Sequence, residues 1–309
     1  MNTHHTQSSS PSRIEAAPSK VGAVVVTRNR LELLKENLAA LRGQTRQPGE
    51  IIVVDNGSDD GTAEWLATQK NLTVVRQQNV GGAGGFFEGI RQAYARGHDW
   101  FWCMDDDVIP KPDALEQLLK CPKASDARTG FLSSVVRWTD GGINLMTAPN
   151  VHPDYSSLME LFPQGLLRLS SASFVSILFH HRAVAARGLP LREMFLWFDD
   201  EEYTRRITDE FLGYQVLASE VEHRTKTNYW VDFDHMAGLS PDHLKYGLRN
   251  FIFLRERGAP PGCAKLWRLK SAVRLQGLVW RQFSGAAWRK LAWAICRGLV
   301  FNPKIEMPD

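Results

Sequence analysis

The sequence predicts an α/β fold built on a doubly wound, mostly parallel sheet, with a basic helical segment towards the C-terminal end. Three observations carry this expectation. Between residues 21 and 105, β-branched apolar runs alternate with stretches whose large apolar residues recur at helical spacing. Polar and acidic residues gather where those runs end, at the strand ends where sheets of this kind collect ligands. From residue 241 the pattern becomes helical and strongly basic.

The first run, "VGAVVVT" at 21–27, reads as a strand, followed by a helix in "NRLELLKENLAALRGQ" with Leu31, Leu34, Leu38 and Leu41 on one face. "EIIVVD" is a second strand ending at Asp55; the turn "NGSDDGT" and helical "AEWLATQ" follow. "LTVVRQ" is a third strand. After it, "NVGGAGG" places four glycines before a helix that carries Phe86, Phe87, Ile90 and Tyr94, and "DWFWCM" is a fourth strand running into Asp105, Asp106 and Asp107. Further on, "SASFVSILFHHRAVAARGLP" reads as a strand feeding a short helix, with His180 and His181 in packing or surface roles. In "LREMFLWFDDEEYTRRIT" an apolar approach again meets carboxylates. Gly and Pro at 258–262 mark a joint before two basic segments, and no internal repeat is present.

Composition narrows the function classes. Residues 1–19 are polar, rich in Ser and Pro, and read as a disordered leader without the apolar core of a secretory signal. The expected organisation is therefore a leader at 1–19, a catalytic domain at 20–240 and a helical segment at 241–309. No apolar run approaches the roughly 20 residues that span a bilayer. Cys103, Cys121, Cys263 and Cys296 are widely spaced, without the CxxC pairing of a zinc site, and suit reduced packing residues. Residues 241–309 hold 13 Lys and Arg against 4 Asp and Glu, a balance of +9, whereas the preceding residues hold 24 against 30, or −6. The basic residues come without a nucleic-acid-binding motif beside an acidic body, which speaks against nucleic acid as a partner.

Side chains alternate along an extended backbone, so Asp105 and Asp107 project to one side and Asp106 to the other. Like charges so close repel and shift towards protonation, whereas a hard divalent cation stabilises the ionised pair; this predicts an Mn²⁺ or Mg²⁺ site. The same residues also suit a solvated acidic turn capping the helix after Pro112. Thr27, Arg28 and Asn29 are placed to contact a base or ribose, and Asp105 and Asp106 to meet the diphosphate region. Asp55 is placed to accept from an imide N–H, although Asp55–Ser58 also has the composition of an ordinary tight turn. Asn79, Gly81 and Gly82 let the backbone approach a bulky ligand or pack tightly. The glycine run completes neither GxGxxG nor a P-loop, which weakens dinucleotide and ATP readings.

In order and spacing, "VVVTRNR", "IIVVDNGSDDGT", "NVGGAGG", "MDDDV" and "WFDDEEY" resemble glycosyltransferase family 2 over residues 21–225. The resemblance implies the GT-A version of a Rossmann-like sheet, a nucleotide-sugar donor, a divalent cation and inversion at the anomeric carbon. "NVGGAGGF" and "DDDV" are most similar to bacterial galactofuranosyltransferases, with rhamnosyltransferases close behind. That branch implies UDP-galactofuranose as donor, dTDP-rhamnose being the alternative. It also implies His223 as a third metal ligand beside Asp105 and Asp107, which favours Mn²⁺ because imidazole suits it better than Mg²⁺.

In an inverting transfer a carboxylate takes the acceptor's proton. The resemblance points to Asp200, with Asp199 the runner-up, although Asp199 and Glu202 also have capping-box spacing, and a helix N-terminus lowers a carboxylate pKa. Trp197 and Phe198 could form an apolar platform for a sugar or pack in the core. Tyr246, Arg249 and Asn250 are weaker candidates for contact with the diphosphate or acceptor.

Residues 262–301 contain eight Lys and Arg, four of the ten tryptophans and no acidic residue. Trp288, Leu291, Ala292, Ile295 and Leu299 form a helical stripe that suits either an anionic membrane surface or docking onto the catalytic body. With a glycan or polyprenyl-linked glycolipid acceptor, the first option implies a cytoplasmic protein peripheral on the inner face of the cell membrane. Two other classes stand against the transferase. A pyrophosphorylase would need a basic phosphate loop where only Arg28 and Arg30 occur, and a noncatalytic nucleotide- or glycan-binding module would not need the acidic residues.

Overall fold

The computed structural model describes residues 19–229, 233–255, 259–260 and 262–309. The expected leader, apart from its last residue, and part of the joint at 258–262 lie outside the described residues.

Every residue of the first strand, β1 (Val21–Thr27), is buried, because the strand sits inside the sheet with both faces covered. Val21, Ala23 and Val25 face one core with Leu34, Leu38 and Leu41 of α1 (Leu31–Arg42). Val24 and Val26 face the other, with Phe86, Phe87 and Ile90 of α3 (Gly81–Ala95). Between these helices run β2 (Glu50–Asp55), α2 (Thr62–Thr68) and β3 (Thr73–Arg76), and after α3 comes β4 (Trp100–Asp105). β1 pairs in parallel with β2 and β4, and β2 with β3. This half follows the alternation of strand and helix in the sequence. The helix after β3 begins earlier than the glycine run implied: all four glycines lie inside the first turns of α3.

Beyond β4 the sheet becomes mixed. The chain continues through β5 (Val108–Pro110), α4 (Ala114–Lys120), β6 (Thr129–Arg137), β7 (Asn150–Val151), α5 (Tyr155–Leu161), β8 (Leu166–Ser171) and β9 (Ile177–His180). Then come α6 (His181–Arg187), α7 (Asp199–Thr208) and β10 (Leu212–His223). Among the described residues these strands form one ten-stranded sheet ordered β3-β2-β1-β4-β9-β6-β10-β8-β7, with β5 paired to β10. β9 is antiparallel to both β4 and β6, and β10 is parallel to β6. His180 ends β9, packs edge-on against Trp100, and accepts from the Arg182 N–H as the cap of α6.

Helices α8 (Pro241–Leu254), α9 (Ala264–Gln282) and α10 (Gly285–Val300) share an apolar core of their own, including Leu244, Leu248, Leu275, Val279, Leu291 and Ile295. The expected stripe on α10 is therefore turned inward: Leu291 and Ile295 are buried there, and Trp288 and Leu299 pack against the cluster. Trp197, in the loop before α7, joins the same cluster. Among the described residues no helix is long and apolar enough to cross a membrane.

Candidate active site

The end of β4 delivers Asp105, and the turn into β5 carries Asp106 and Asp107, both buried. Asp106 turns towards β1, where its Oδ2 accepts from Thr27 Oγ1 at 2.8 Å and from the Arg28 N–H at 3.3 Å. Asp107 turns the other way. The antiparallel register of β5 with β10 sets Val108 opposite His223, so His223 Nε2 stands 3.2 Å from Asp107 Oδ1. One ligand atom from each of Asp105, Asp107 and His223 lies within 4.8 Å of the others. Arg30 Nη1 reaches the same turn, 3.2 Å from Asp106 Oδ1 and 2.5 Å from Asp107 Oδ2.

Burial and the neighbouring Asp107 push Asp105 well above the usual carboxylate range. Burial lifts Asp106 to about 6, against the pull of Arg30. For Asp107 burial also works upward, but His223 and Arg30 outweigh it and hold the group below its ordinary value. The donor set fits a divalent cation: Asp107 Oδ1 and His223 Nδ1 are buried without a well-aligned hydrogen-bond partner, and two carboxylates with an imidazole suit Mn²⁺.

The residues expected at a nucleotide are spread over the adjoining loops. Asn29, with a left-handed φ of 54°, ties the loop after β1 to the loop after β2: its N–H donates to Ser58 Oγ, and its side chain pairs with Asp59. Asp55 combines both sequence readings. Its Oδ1 accepts from the Ser58 N–H as in a tight turn, while its buried Oδ2 has no hydrogen-bond partner and lies 3.7 Å from Arg76 Nε. Asn79 accepts from the Gly81 N–H. Gly81 has a packing role: its φ is 78°, and a Cβ there would meet Phe195 O at 2.0 Å. Gly82 has nothing within 4 Å of such a Cβ and lines the cleft described below.

The second cluster of carboxylates follows a strained turn. Phe195, Trp197 and Phe198 have φ of 65°, 67° and 66°, values that non-glycine residues seldom adopt. α8 holds this turn. Asn250, fully buried, donates from Nδ2 to Met194 O, Leu196 O and Trp197 O at 2.8, 3.1 and 2.9 Å, and Arg249 Nη2 donates to Glu193 O and Met194 O. Tyr246 stacks on Phe195 at 4.2 Å. These three residues therefore support the turn.

Phe198 is the N-cap of α7 and Asp199 its first helical residue, so the capping box expected between Asp199 and Glu202 does not form. Glu202 instead pairs with Arg206 in the interior. Asp200 Oδ1 accepts from the Glu201 N–H at 2.7 Å. Burial, with Asp200 adding repulsion, lifts Asp199 to about 8; burial lifts Asp200 to about 6. The expected lowering by the helix N-terminus is overridden by desolvation.

Both clusters open onto one cleft of about 320 Å³. Asp105 and His223 line it together with Asp199, Asp200, Trp197 and Phe198. Thr27, Arg28, Asn29, Asp55 and Asn79 do not line it: Thr27 and Arg28 bond Asp106, Asn29 and Asp55 bond Ser58, and Asn79 lines a second pocket beside Phe195 and Tyr246. Two contributors escaped the sequence reading. Arg30 ends the "VVVTRNR" stretch, but the sequence reading gives it no role as counter-charge to the acidic turn, and Met146–Asn150, which line the cleft, lie in a stretch without periodicity.

Comparisons with known proteins show the class of enzyme to which this fold belongs. The model of "Glycosyl transferase family 2" matches residues 23–159. Galactofuranosyltransferase GlfT1 of Mycolicibacterium smegmatis is 32% identical over 268 residues, covering 80% of this chain and 85% of that protein. GlfT1 of Mycobacterium tuberculosis is 35% identical over 195 residues, covering 60% of this chain and 64% of that protein. An undecaprenyl-phosphate mannosyltransferase of Micrococcus luteus is 27% identical over 177 residues, 56% of this chain and 70% of that one. The solved structure of GalNAc-T7 with UDP, GalNAc and Mn²⁺ is similar in fold, with a TM-score of 0.57 at 15% identity, over 82% of this chain and 54% of that one. The chain belongs to glycosyltransferase family 2 and is a glycosyltransferase of GT-A fold.

Two predictions follow from this geometry. Because burial and Asp107 push Asp105 above the usual carboxylate range, a cation bound there would compete with its proton, so any stabilisation by Mn²⁺ should grow as pH rises. At a hundredfold excess over Kd it amounts to about 2.7 kcal/mol, or roughly 4 °C in Tm for a chain of this size. Thermal melts with Mn²⁺ and with EDTA at pH 6 and 8 check this, and a shift that shrinks at higher pH would contradict it. Asn250→Ala strips a buried donor from three carbonyls and should cost about 1–3 kcal/mol in urea unfolding. Glycosyl transfer should also fall in the same variant, since the strained turn leads into Asp199 and Asp200.

Proposed function

We propose that this protein is an inverting, divalent-metal-dependent transferase that moves galactofuranose from UDP-galactofuranose onto a lipid-linked or growing cell-surface glycan. The observation that carries this reading is the single cleft bordered by both Asp105 with His223 and Asp199 with Asp200. Similarity to GlfT1 supports the galactofuranosyl donor, and similarity to the undecaprenyl-phosphate mannosyltransferase supports a lipid-linked acceptor.

Asp105, Asp107 and His223 would hold Mn²⁺, which when bound supplies Lewis-acid neutralisation of the departing diphosphate. Thr27, Arg28, Asn29 and Asp55 would flank the nucleotide, and Asp55 Oδ2, near Arg76 but without a hydrogen-bond partner, could accept from a donor on the base. Arg30 steadies Asp106 and Asp107. Trp197 and Phe198 wall the cleft beside the acceptor and exclude water from it.

Asp200 takes the proton of the acceptor hydroxyl as that oxygen attacks the anomeric carbon opposite the diphosphate. Asp199, lifted to about 8, is protonated at neutral pH and lacks a free acceptor site for that proton; Asp200, at about 6, is mostly ionised. Asp199 serves as a donor that orients its neighbour or the acceptor.

Asp200→Asn should lower kcat by about a thousandfold or more, in line with general-base removal, while Mn²⁺-dependent UDP binding by calorimetry stays intact. In the wild-type protein, activity should fall as pH drops below about 6, where the Asp200 carboxylate takes up its proton. A pH profile flat down to pH 5, or full activity in the variant, would remove Asp200 from this role. Turnover of UDP-galactofuranose compared with dTDP-rhamnose decides the donor, and Asp107→Ala should lose metal-dependent UDP binding.

A further inference from the structure

α9 presents two faces. Its inner face, with Ala272, Leu275 and Val279, packs into the core shared with α8 and α10. Its outer face carries a second apolar stripe: Leu266, Leu269, Val273 and Trp280 recur at spacings of three, four and seven, with Val273 66% and Trp280 73% exposed. At roughly 100° per residue, Lys270, Arg274 and Arg281 run along one flank of this stripe and Lys265 along the other.

α10 continues this surface. Gln276 of α9 donates to Ala292 O and lies 3.7 Å from Cys296 Sγ, so the two helices meet along a seam whose outer edge is formed by the exposed Cys296. The outward residues of α10 beside that seam are Trp293 and Val300, 65% and 71% exposed, with Arg297 over the Trp293 ring at 5.3 Å. Residues 262–301 contain no Asp or Glu. Arg274 and Lys290 pair with Asp234 and Asp242 from preceding segments, while Lys265, Lys270, Arg281 and Arg289 form no ion pair among the described residues.

We propose that the outer face of α9 and α10 docks on an anionic lipid bilayer, lying in its interface rather than crossing it. A bilayer fits both halves of the surface. Tryptophans and aliphatic side chains enter the headgroup region, and flanking cations meet anionic headgroups. A second copy fits poorly, because its equivalent face would bring cations against cations without a carboxylate to pair with. Docking here differs from the expectation drawn from the sequence, since the Trp288–Leu299 stripe is occupied by the core and the available stripe belongs chiefly to α9. The surface is also fixed relative to the chemistry: the same core contains Trp197, and α8 clamps the turn ahead of Asp199 and Asp200. A docked protein would thus hold its cleft at a set orientation to the membrane. The inference concerns the surface alone and does not depend on which sugar is transferred.

The test uses the full chain in flotation assays with vesicles of phosphatidylcholine alone and of phosphatidylcholine with 30% phosphatidylglycerol. Binding to the anionic vesicles, weakened by salt, is expected. Trp280→Glu should abolish it, and the double variant Lys270→Gln/Arg281→Gln should weaken it by about 30-fold, at the usual contribution of each surface cation. Both variants change exposed side chains, and unchanged Mn²⁺-dependent UDP binding and melting temperature confirm that they remain folded. Three results would overturn the proposal: no binding to anionic vesicles, binding indifferent to these substitutions, or an oligomer in light scattering that Trp280→Glu converts to monomer, which would assign the face to a second copy.

Discussion

The crowding of buried carboxylates at the carboxyl edge of the sheet is the constraint around which the rest of the site is arranged. Asp105, Asp106 and Asp107 occupy consecutive positions, and Asp199 adds to the repulsion on Asp105 across the cleft. Removing such charges from water costs several kcal/mol each unless they are neutralised or paired. Each aspartate meets that cost differently. Asp106 is satisfied by Thr27, the Arg28 N–H and Arg30; Asp107 by His223 and Arg30; Asp105, without an ion pair among the described residues, is pushed towards its neutral, protonated form. A divalent cation at the proposed site would compete with that proton and relieve the repulsion along the acidic edge.

The opposite wall is held by conformational strain rather than charge. Three residues with left-handed backbone angles in four positions cost on the order of 1–3 kcal/mol each. They persist because Asn250 gathers three carbonyls, Tyr246 stacks on Phe195, and Gly81 leaves room for the Phe195 carbonyl. The glycine run, α8 and the carboxylates of α7 are thus parts of one support. This explains why a helix remote in sequence from the family motifs packs so closely behind the cleft.

The strand-and-helix half was legible because its signals are local: β-branched runs buried on both faces, leucines at helical spacing, turns rich in Gly and Asp. Asp105 and Asp107 do come together with Asp106 turned away, as expected from alternation along an extended chain, but Asp106 and Asp107 sit in the turn after β4 and not on an extended strand, so the turn geometry sets their directions. The second half was less so, because β6 to β9 are ordered by long-range pairing that periodicity does not encode. The roles of Asn250 and Gly81 depend on the unusual turn at Phe195, which no residue there announces: Phe and Trp are poor markers of positive φ. The Trp288 stripe was correctly seen as apolar, but a helix with two apolar faces leaves open which of them meets its own protein.

Competition between two opposing effects at the start of α7 divides the labour of its carboxylates. A helix N-terminus favours an anion by about 0.3–1 kcal/mol at an exposed site, less than one pKa unit, whereas full burial can shift a carboxyl by several units the other way. Desolvation therefore decides, and both aspartates rise. They do not rise equally: Asp200 accepts the Glu201 N–H, which favours its ionised form, while Asp199 is raised further by the charge of Asp200 beside it. Two adjacent residues of the same type are thus both pushed towards the neutral form, Asp199 further than Asp200. The Glu201 N–H at Asp200 and the deeper burial of Asp199 agree with the proposed assignment of the proton acceptor to Asp200, which the family resemblance also implies.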